Sequence, residues 1–221
     1  MDTESSYDRV ASEYAERYVD ELRHKPLDRA LLDWFVGETQ DRGTLADVGC
    51  GPGQVARYLR ERGLPVVGVD LSREMVAAAR RLTPEVQFER GSILDLPAAD
   101  GVWAGIAALY SIIHIAPPDL ARAAAEFARV LRPGGVVMLS FHMGTETRHL
   151  TDWFGQTVNL DFQFYEFADL IPAFEAAGFV VEARLERSAY APIETPTRRG
   201  YLLMRKAALE GVVDDIGGND G

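Results

Sequence analysis

The chain has 221 residues, a formal net charge of −11 and a hydrophobic content of 47%. This size and composition predict one globular domain with an ordinary buried core. The negative charge opposes non-specific binding to nucleic acid and to anionic membranes, because both are polyanionic. We therefore expect a dissolved small molecule as the partner of a monomer or homodimer.

Cysteine usage and apolar runs limit the possible compartments. Cys50 is the only cysteine, so no intramolecular disulfide can form and no structural thiolate metal site is expected. The first ten residues have neither a basic head nor an apolar run, and therefore do not resemble a secretory signal. The apolar stretch 101–116 is shorter than a membrane span and is predicted to be a buried strand with its exit loop. We expect a cytoplasmic protein without a metal ion.

Two amphipathic helices are predicted at the N-terminus. Aromatic and aliphatic residues recur there at helical spacing: Tyr7, Val10, Tyr14 and Tyr18, then Leu27, Leu31, Trp34 and Phe35. Residues 1–40 are interpreted as a helical cap on the domain.

From Leu45 onward, short apolar runs alternate with amphipathic segments. This alternation is typical of βαβ units, and it predicts an α/β domain with a doubly wound, mostly parallel sheet of seven strands. Residues 41–142 form the predicted core and 168–206 a last helix and two strands. Residues 143–167 are predicted to be an irregular, aromatic lid, and 207–221 a frayed tail.

The segment LADVGCGPGQVARYL (45–59) places glycines between an apolar strand and a helix. Gly49, Gly51 and Gly53 would present backbone N–H groups and allow close approach of a ligand at the carboxyl edge of the sheet. Asp70 ends the next apolar run, VVGVD, at a spacing suited to binding a ribose diol. Together these features predict a ligand that carries a nucleoside.

The third glycine discriminates between nucleotide classes. The dinucleotide pattern G-x-G-x-x-G requires glycine at position 54, where this chain has Gln54, and no G-K-[ST] phosphate loop is present. An NAD-dependent oxidoreductase is therefore the weaker alternative.

Four ordered motifs, DVGCGPG, VVGVDLSREMV, GSILDLP and RVLRPGG, resemble the class I S-adenosyl-methionine-dependent methyltransferase family from about Leu45 to Phe141. The resemblance implies a Rossmann-like fold with S-adenosyl-methionine as cofactor, and Asp70 binding its ribose hydroxyls. It implies cofactor contacts for the glycine loop and the three following strand ends: Asp47, Gly49, Cys50, Gly51, Gly53, Leu71, Met75, Ser92, Ile93, Leu109 and Tyr110.

Alternatives exist for Ser92 and Cys50 and for a further predicted cofactor contact, Tyr14. Many family members carry an acid where this chain has Ser92; either the nearby Asp95 or the backbone of Ser92 and Ile93 could serve the adenine. Cys50 is more simply a small filler of the turn than a nucleophile, since no partner base is visible. Tyr14 is preferred to Tyr7 and Tyr18 as the aromatic contact for the sulfonium, although all three tyrosines could instead serve only to pack the helix against the domain.

The acceptor should lie beyond the carboxyl ends of the fourth and fifth strands. His114 follows the fourth strand and is the candidate general base, with a packing or capping role as the alternative. His142, His149, Trp153 and Phe154 are candidate acceptor contacts.

Two further features admit more than one interpretation. Phe164 could wall the acceptor or belong to the core. The pair Arg198 and Arg199 could hold an acidic acceptor or be solvated loop charges.

The sequence thus predicts an enzyme that transfers a methyl group from S-adenosyl-methionine to a small-molecule O, N or C acceptor. The alternative from another class is a catalytically silent protein that binds the cofactor as a regulatory or partner subunit.

Overall fold

The computed structural model describes residues 2–208. Its helices are α1 (Thr3–Tyr18), α2 (Pro26–Thr39), α3 (Gln54–Glu61), α4 (Arg73–Leu82), α5 (Leu120–Val130) and α6 (Phe167–Ala176). Its strands are β1 (Leu45–Val48), β2 (Val66–Asp70), β3 (Gln87–Arg90), β4 (Trp103–Leu109), β5 (Leu131–Met143), β6 (Thr147–Trp153), β7 (Gln156–Gln163), β8 (Phe179–Arg187) and β9 (Arg198–Lys206). Single 3₁₀ turns lie at Glu21–His24, Ile112–His114 and Pro117–Asp119.

Seven strands form one sheet in the order β3-β2-β1-β4-β5-β9-β8. Strands β1 to β5 pair in parallel, and β9 runs antiparallel to both of its neighbours. The doubly wound, mostly parallel sheet predicted from the sequence is confirmed. The strand order reverses between β1 and β4, so a ligand crevice is expected at their carboxyl ends.

The sheet separates two apolar cores. Along β5, Val137 and Leu139 pack with α5 and α6 on one face, whereas Val136 and Met138 pack with α2 and α3 on the other. This alternation follows from the two-residue period of a strand. Both faces are buried, which explains the nearly continuous apolar runs of β4 and β5.

Capping residues fix where two helices begin. Ser72 accepts a hydrogen bond from the N–H of Met75 at 3.1 Å and caps α4, as the sequence predicts. Asp2 caps α1 by accepting from the N–H of Ser5 at 2.9 Å. Ser72 lies two residues after Asp70, so α4 begins at the edge where the crevice lies.

The prediction that 143–167 is irregular is wrong. Strands β6 and β7 form an antiparallel hairpin, in which Trp153 pairs with Gln156 across the two-residue turn Phe154-Gly155. Both turn residues have positive φ, 55° and 74°, as a type I′ turn requires. A hairpin satisfies the backbone hydrogen bonds that a 25-residue irregular loop would leave to solvent.

The hairpin packs on α1 through a small third core. Val10 of α1 is buried with Val158 and Leu160 of β7. The Ser6 hydroxyl accepts a hydrogen bond from the N–H of Asn159 at 2.9 Å. Helix α1 and the hairpin therefore form a continuous layer, here called the roof, defined as residues 3–18 and 147–163.

Two further sequence predictions concern the tail of the chain and membrane-spanning segments. The predicted frayed tail falls almost entirely on residues 209–221, outside the described part of the chain. Between residues 2 and 208, no helix combines the length and the apolar character needed to cross a bilayer.

Candidate functional site

One cavity of about 890 Å³ lies between the carboxyl ends of the central strands and the roof. Its wall includes the glycine loop after β1, the end of β2, the loop after β4, and side chains of α1 and the hairpin. Ligand pockets commonly occupy about 300 to 1,000 Å³. The cavity can therefore hold a ligand of cofactor size together with a second, smaller molecule.

The glycine loop is shaped by left-handed backbone at Gly49, Gly51 and Gly53, with φ of 72°, 51° and 86°. A Cβ on Gly49 would lie 2.2 Å from the Cβ of Ser111, so only glycine lets the loop pack against the segment after β4. A Cβ on Gly51 would project toward the Tyr14 ring, 3.8 Å away, into the space a ligand needs. Such a cradle favours a flat or extended ligand held against the backbone.

Gly53 does not line the cavity, which corrects its assignment as a ligand contact. A Cβ there would lie 2.8 Å from the Phe88 ring, beneath the loop. Glycine is required at this position because the residue is the N-cap of α3 and its backbone is left-handed. Gly49 and Gly51 do line the cavity, as predicted.

Asp70 lies on the cavity wall and holds the loop in place. Its two carboxylate oxygens accept hydrogen bonds from the N–H of Gly51 at 2.8 Å and of Ser72 at 2.9 Å. Each oxygen keeps a lone pair, so the carboxylate can still accept from a diol. Burial raises the pKa of Asp70 to about 6.

Asp47 is buried beneath the loop at the edge of the cavity. Its carboxylate accepts from the N–H of Ala56 in the first turn of α3 at 2.9 Å. Burial raises the pKa of Asp47 to about 7. This residue orients the loop and the helix that follows it.

The other predicted cofactor residues meet on the same wall. Cys50 is buried and its thiol pKa is raised by desolvation, so it is a protonated filler and not an activated nucleophile. Asp95, the proposed substitute for the missing acid, is exposed and does not line the cavity. Residues that do line it are Leu71, Met75, Ser92, Ile93, Leu109 and Tyr110.

Aromatic rings close the cavity from the roof. Tyr14 lies between Tyr18, at a centroid distance of 4.5 Å, and Trp153, at 5.4 Å. Both Tyr14 and Trp153 line the cavity, as predicted. Phe154 does not: its ring stacks on Trp153 and lies under the Arg17 guanidinium, on the outer side of the roof.

His114 lines the cavity, but both of its ring nitrogens are engaged. Nδ1 is 3.0 Å from the carbonyl oxygen of Asp161, which can only accept, so Nδ1 carries the proton. Nε2 therefore accepts from the Tyr7 hydroxyl at 2.7 Å. Burial lowers the pKa of His114 to about 4, which keeps the ring neutral at pH 7.

The two remaining candidate histidines differ in their position relative to the cavity. His142 lines the cavity beside Tyr110, stacks on Phe164 at 5.1 Å and bonds Thr197 through Nδ1 at 2.8 Å. Burial is the main cause that lowers its pKa, to about 3. His149 pairs with the Asp161 carboxylate, is half exposed and lies off the cavity wall. The assignment of His149 to the acceptor pocket is therefore not supported by its position, whereas Phe164 lines the pocket.

The cavity also has a charged wall, of which the sequence indicated only Arg199. Its members come from the start of α2 and from the segment around β8 and β9, more than 150 residues apart. They are Glu21, Lys25, Asp28, Glu194 and Arg199, with Arg187 directly behind them. Of the predicted arginine pair, Arg199 is buried on this wall and Arg198 is half exposed on the outside.

Comparison with known proteins gives one family match and many similar structures. Residues 45–135 match the family model described as a methyltransferase domain. A malonyl-[acyl-carrier protein] O-methyltransferase from Enterobacter lignolyticus is 34% identical over 121 residues, covering 52% of this chain and 46% of that protein. The methyltransferase GfsG from Streptomyces halstedii is 41% identical over 96 residues, covering 40% of this chain and 34% of that protein.

Among solved structures, a SAM-dependent methyltransferase from Methanosarcina mazei superposes with a TM-score of 0.70 at 15% identity. The superposition covers 78% of this chain and 96% of that one. This similarity supports the fold. The chain spans about half or less of the curated relatives that it matches, and the similarity is concentrated in the segment that carries the glycine loop and Asp70.

Proposed function

This chain belongs to the class I S-adenosyl-methionine-dependent methyltransferases, and we propose that it transfers a methyl group from that cofactor to a small-molecule acceptor. The family predicted from the four sequence motifs is confirmed by the match of residues 45–135. One observation carries the proposal: a single cavity is lined both by the glycine loop with Asp70 and by Tyr7, His114 and Arg199.

The residues at the loop end fit the cofactor. Asp70 offers free lone pairs to ribose hydroxyls, and the backbone of Gly51 lies open to the cavity where a side chain would occupy the space. Tyr14 offers an aromatic face to a cation, a contact that sulfonium chemistry favours. When bound, S-adenosyl-methionine supplies a methyl group activated by its sulfonium.

The other end of the cavity orients the acceptor and takes up its proton. His114 cannot contact the acceptor as a free base, because its Nε2 already accepts from Tyr7. The Tyr7 oxygen can instead receive the acceptor's proton while its own proton passes to Nε2 of His114. The resulting imidazolium keeps its Nδ1–H bond to the Asp161 carbonyl. A base with a pKa of about 4 suits a proton that becomes strongly acidic only as the methyl bond forms.

A small acceptor is favoured because the roof covers part of the cavity. Helix α1 and the hairpin pack together through Val10, Val158 and Leu160 and so form one layer over the strand ends. This layer limits the access of water, which would compete for the methyl group. The similar O-methyltransferases named for malonyl-[acyl-carrier protein] make a carrier-bound acceptor the principal competitor.

Two titrations and one incubation test the proposal. Calorimetric titration with S-adenosyl-homocysteine should show binding, and parallel titration with NAD should show none. Incubation with S-adenosyl-methionine and a library of hydroxylated, amino and carbon acceptors should then release S-adenosyl-homocysteine and add one methyl group to an acceptor.

Binding of NAD alone, or of neither ligand, would contradict the proposal. Binding of the cofactor without turnover of any free or carrier-bound acceptor would favour the catalytically silent alternative. Turnover of a carrier-bound acceptor alone would retain methyl transfer and refute the small-molecule assignment.

A further inference from the structure

The charged wall contains three cations and three carboxylates, and among the residues that the structure describes only one of the cations makes no close contact with a carboxylate. Arg187 bonds both oxygens of Glu194, at 2.5 and 2.9 Å, and one oxygen of Asp28 at 2.9 Å. Lys25 bonds Glu21 at 2.6 Å and lies 3.5 Å from Glu194. These contacts satisfy two of the three cations with carboxylates.

Arg199 is the exception. Its side chain is only 4% exposed, and its two terminal nitrogens donate to the carbonyls of Thr197 at 2.9 Å and Thr195 at 3.0 Å. Its Nε has no hydrogen-bond partner among residues 2–208, and the Glu194 oxygen lies 3.9 Å away, beyond hydrogen-bond distance. A buried donor left without a partner costs about 1–3 kcal/mol, and more when the group is charged.

Arg199 is one of the residues that line the cavity. The guanidinium lies 5.7 Å from the ring centroid of Tyr110, which follows β4 and lines the cavity. Lys25 faces the same ring at 5.1 Å, so two cations flank one aromatic surface of the acceptor end.

We propose that Arg199 binds a carboxylate of the methyl acceptor, so that the acceptor is a small organic acid. This inference rests on the proposed methyl transfer and specifies its substrate class. The carboxylate would accept from terminal guanidinium hydrogens that the Thr195 and Thr197 carbonyls leave free, and would compensate the guanidinium of the charged wall that lacks a hydrogen-bonded acid. The Tyr110 ring and the Phe164 ring, which also lines the cavity, would contact the apolar part of the acid.

The neighbouring arginine provides a matched control. Arg198 precedes Arg199 on β9, so its side chain points to the opposite side of the strand. It is 49% exposed and bonds Glu186 at 2.5 and 2.8 Å, and it does not line the cavity. Removal of either arginine changes the net charge equally, but only Arg199 faces the acceptor.

The test compares acids with their neutral amides on the protein saturated with S-adenosyl-homocysteine. Three matched pairs serve as probes: 4-hydroxybenzoate and 4-hydroxybenzamide, hexanoate and hexanamide, and phenylacetate and phenylacetamide. Calorimetry measures each dissociation constant for the wild type and for Arg199→Gln, Arg199→Lys and Arg198→Gln. Binding of S-adenosyl-homocysteine to the same samples reports separately on the cofactor site and on folding.

In the wild type, at least one acid should bind about ten- to a hundredfold more tightly than its amide, the range of a charge-assisted hydrogen bond. Arg199→Gln should abolish the preference, Arg199→Lys should retain part of it, and Arg198→Gln should leave it unchanged.

Equal binding of acids and amides to the wild type, or binding of neither, would overturn the proposal. So would a preference that survives in Arg199→Gln. The wild-type comparison stands even if Arg199→Gln fails to fold. If the wild type does not bind S-adenosyl-homocysteine, the proposed function is refuted instead.

Discussion

The Tyr7 hydroxyl donates to Nε2 of His114 at 2.7 Å and so joins the first helix of the chain to the loop after β4. The two rings also meet edge to face, with centroids 5.2 Å apart. The proton acceptor at this site is therefore a pair of residues, Tyr7 and His114, from two distant segments. The histidine orients the tyrosine, and the tyrosine occupies the nitrogen that would otherwise meet the substrate.

Tyr7→Phe and His114→Ala should each lower kcat by about a hundredfold, the scale of a lost general base. The affinity for S-adenosyl-homocysteine should change little, because the bond between Tyr7 and His114 is proposed to take up the acceptor's proton and not to hold the cofactor. Initial rates with an acceptor found in the library screen provide the measurement, and His149→Ala is the control, since His149 lies off the cavity wall. Full turnover in both variants would mean that the acceptor's proton leaves by another route.

Asp70→Asn should weaken binding of S-adenosyl-homocysteine by about ten- to a hundredfold, since a charge-assisted hydrogen bond is worth about 1.5–3 kcal/mol. Calorimetry on a variant with unchanged circular dichroism measures this effect. The matched control is Asp95→Asn, which removes an exposed carboxylate from the loop after β3 and should leave the affinity unchanged. Equal affinities for wild type and Asp70→Asn would remove Asp70 from the cofactor site.

Binding of S-adenosyl-homocysteine should depend on pH with a midpoint near the Asp70 pKa of about 6. Above that pH the carboxyl is ionised and accepts from ribose hydroxyls; below it, protonation removes one acceptor oxygen, so affinity falls as pH falls. The dissociation constant should rise by up to about tenfold per pH unit below the midpoint. Titrations between pH 5 and pH 8 check the trend, and the same dependence in Asp70→Asn would assign it to another group.

Two glycine substitutions should change stability in opposite directions. A Cβ on Gly105 of β4 would lie 2.7 Å from the buried Phe35 ring of α2, so Gly105→Ala should lower the free energy of unfolding by about 1–3 kcal/mol. Gly37 is exposed within α2 and has open space around it, so Gly37→Ala should raise that energy by about 0.5–1 kcal/mol. Urea denaturation measures both. A stabilised Gly105→Ala would show that α2 shifts easily on the sheet.

The sheet could be predicted because its signals are local. Apolar runs such as VVGVD, a capping serine at Ser72 and the glycines of the first loop each determine structure within a few residues. The hairpin carried a local signal as well: Val158, Leu160 and Phe162 alternate after the Phe154-Gly155 turn, as in a half-buried strand. The register irregularity between Leu150 and Asp152 interrupts that alternation in β6, which made the segment resemble a loop.

The acceptor end was predicted less well because it is assembled from distant segments. Lys25 and Glu194 lie near opposite ends of the chain and come together only in the folded protein. Nothing in the sequence around Lys25 distinguishes it from a solvated lysine. Likewise, the engagement of His114 by Tyr7 depends on where α1 docks, which helical periodicity does not reveal.

The roof has a consequence for the order of folding during synthesis. Helix α1 leaves the ribosome more than 130 residues before its partner strand β7, and the contact between Ser6 and Asn159 spans 153 positions. The sheet strands β1 to β5 can pair before that contact forms, whereas the roof must wait for the hairpin. A nascent chain that ends after β5 would carry the glycine loop and Asp70 without a closed chamber, so ligand retention should arise only once the hairpin has emerged.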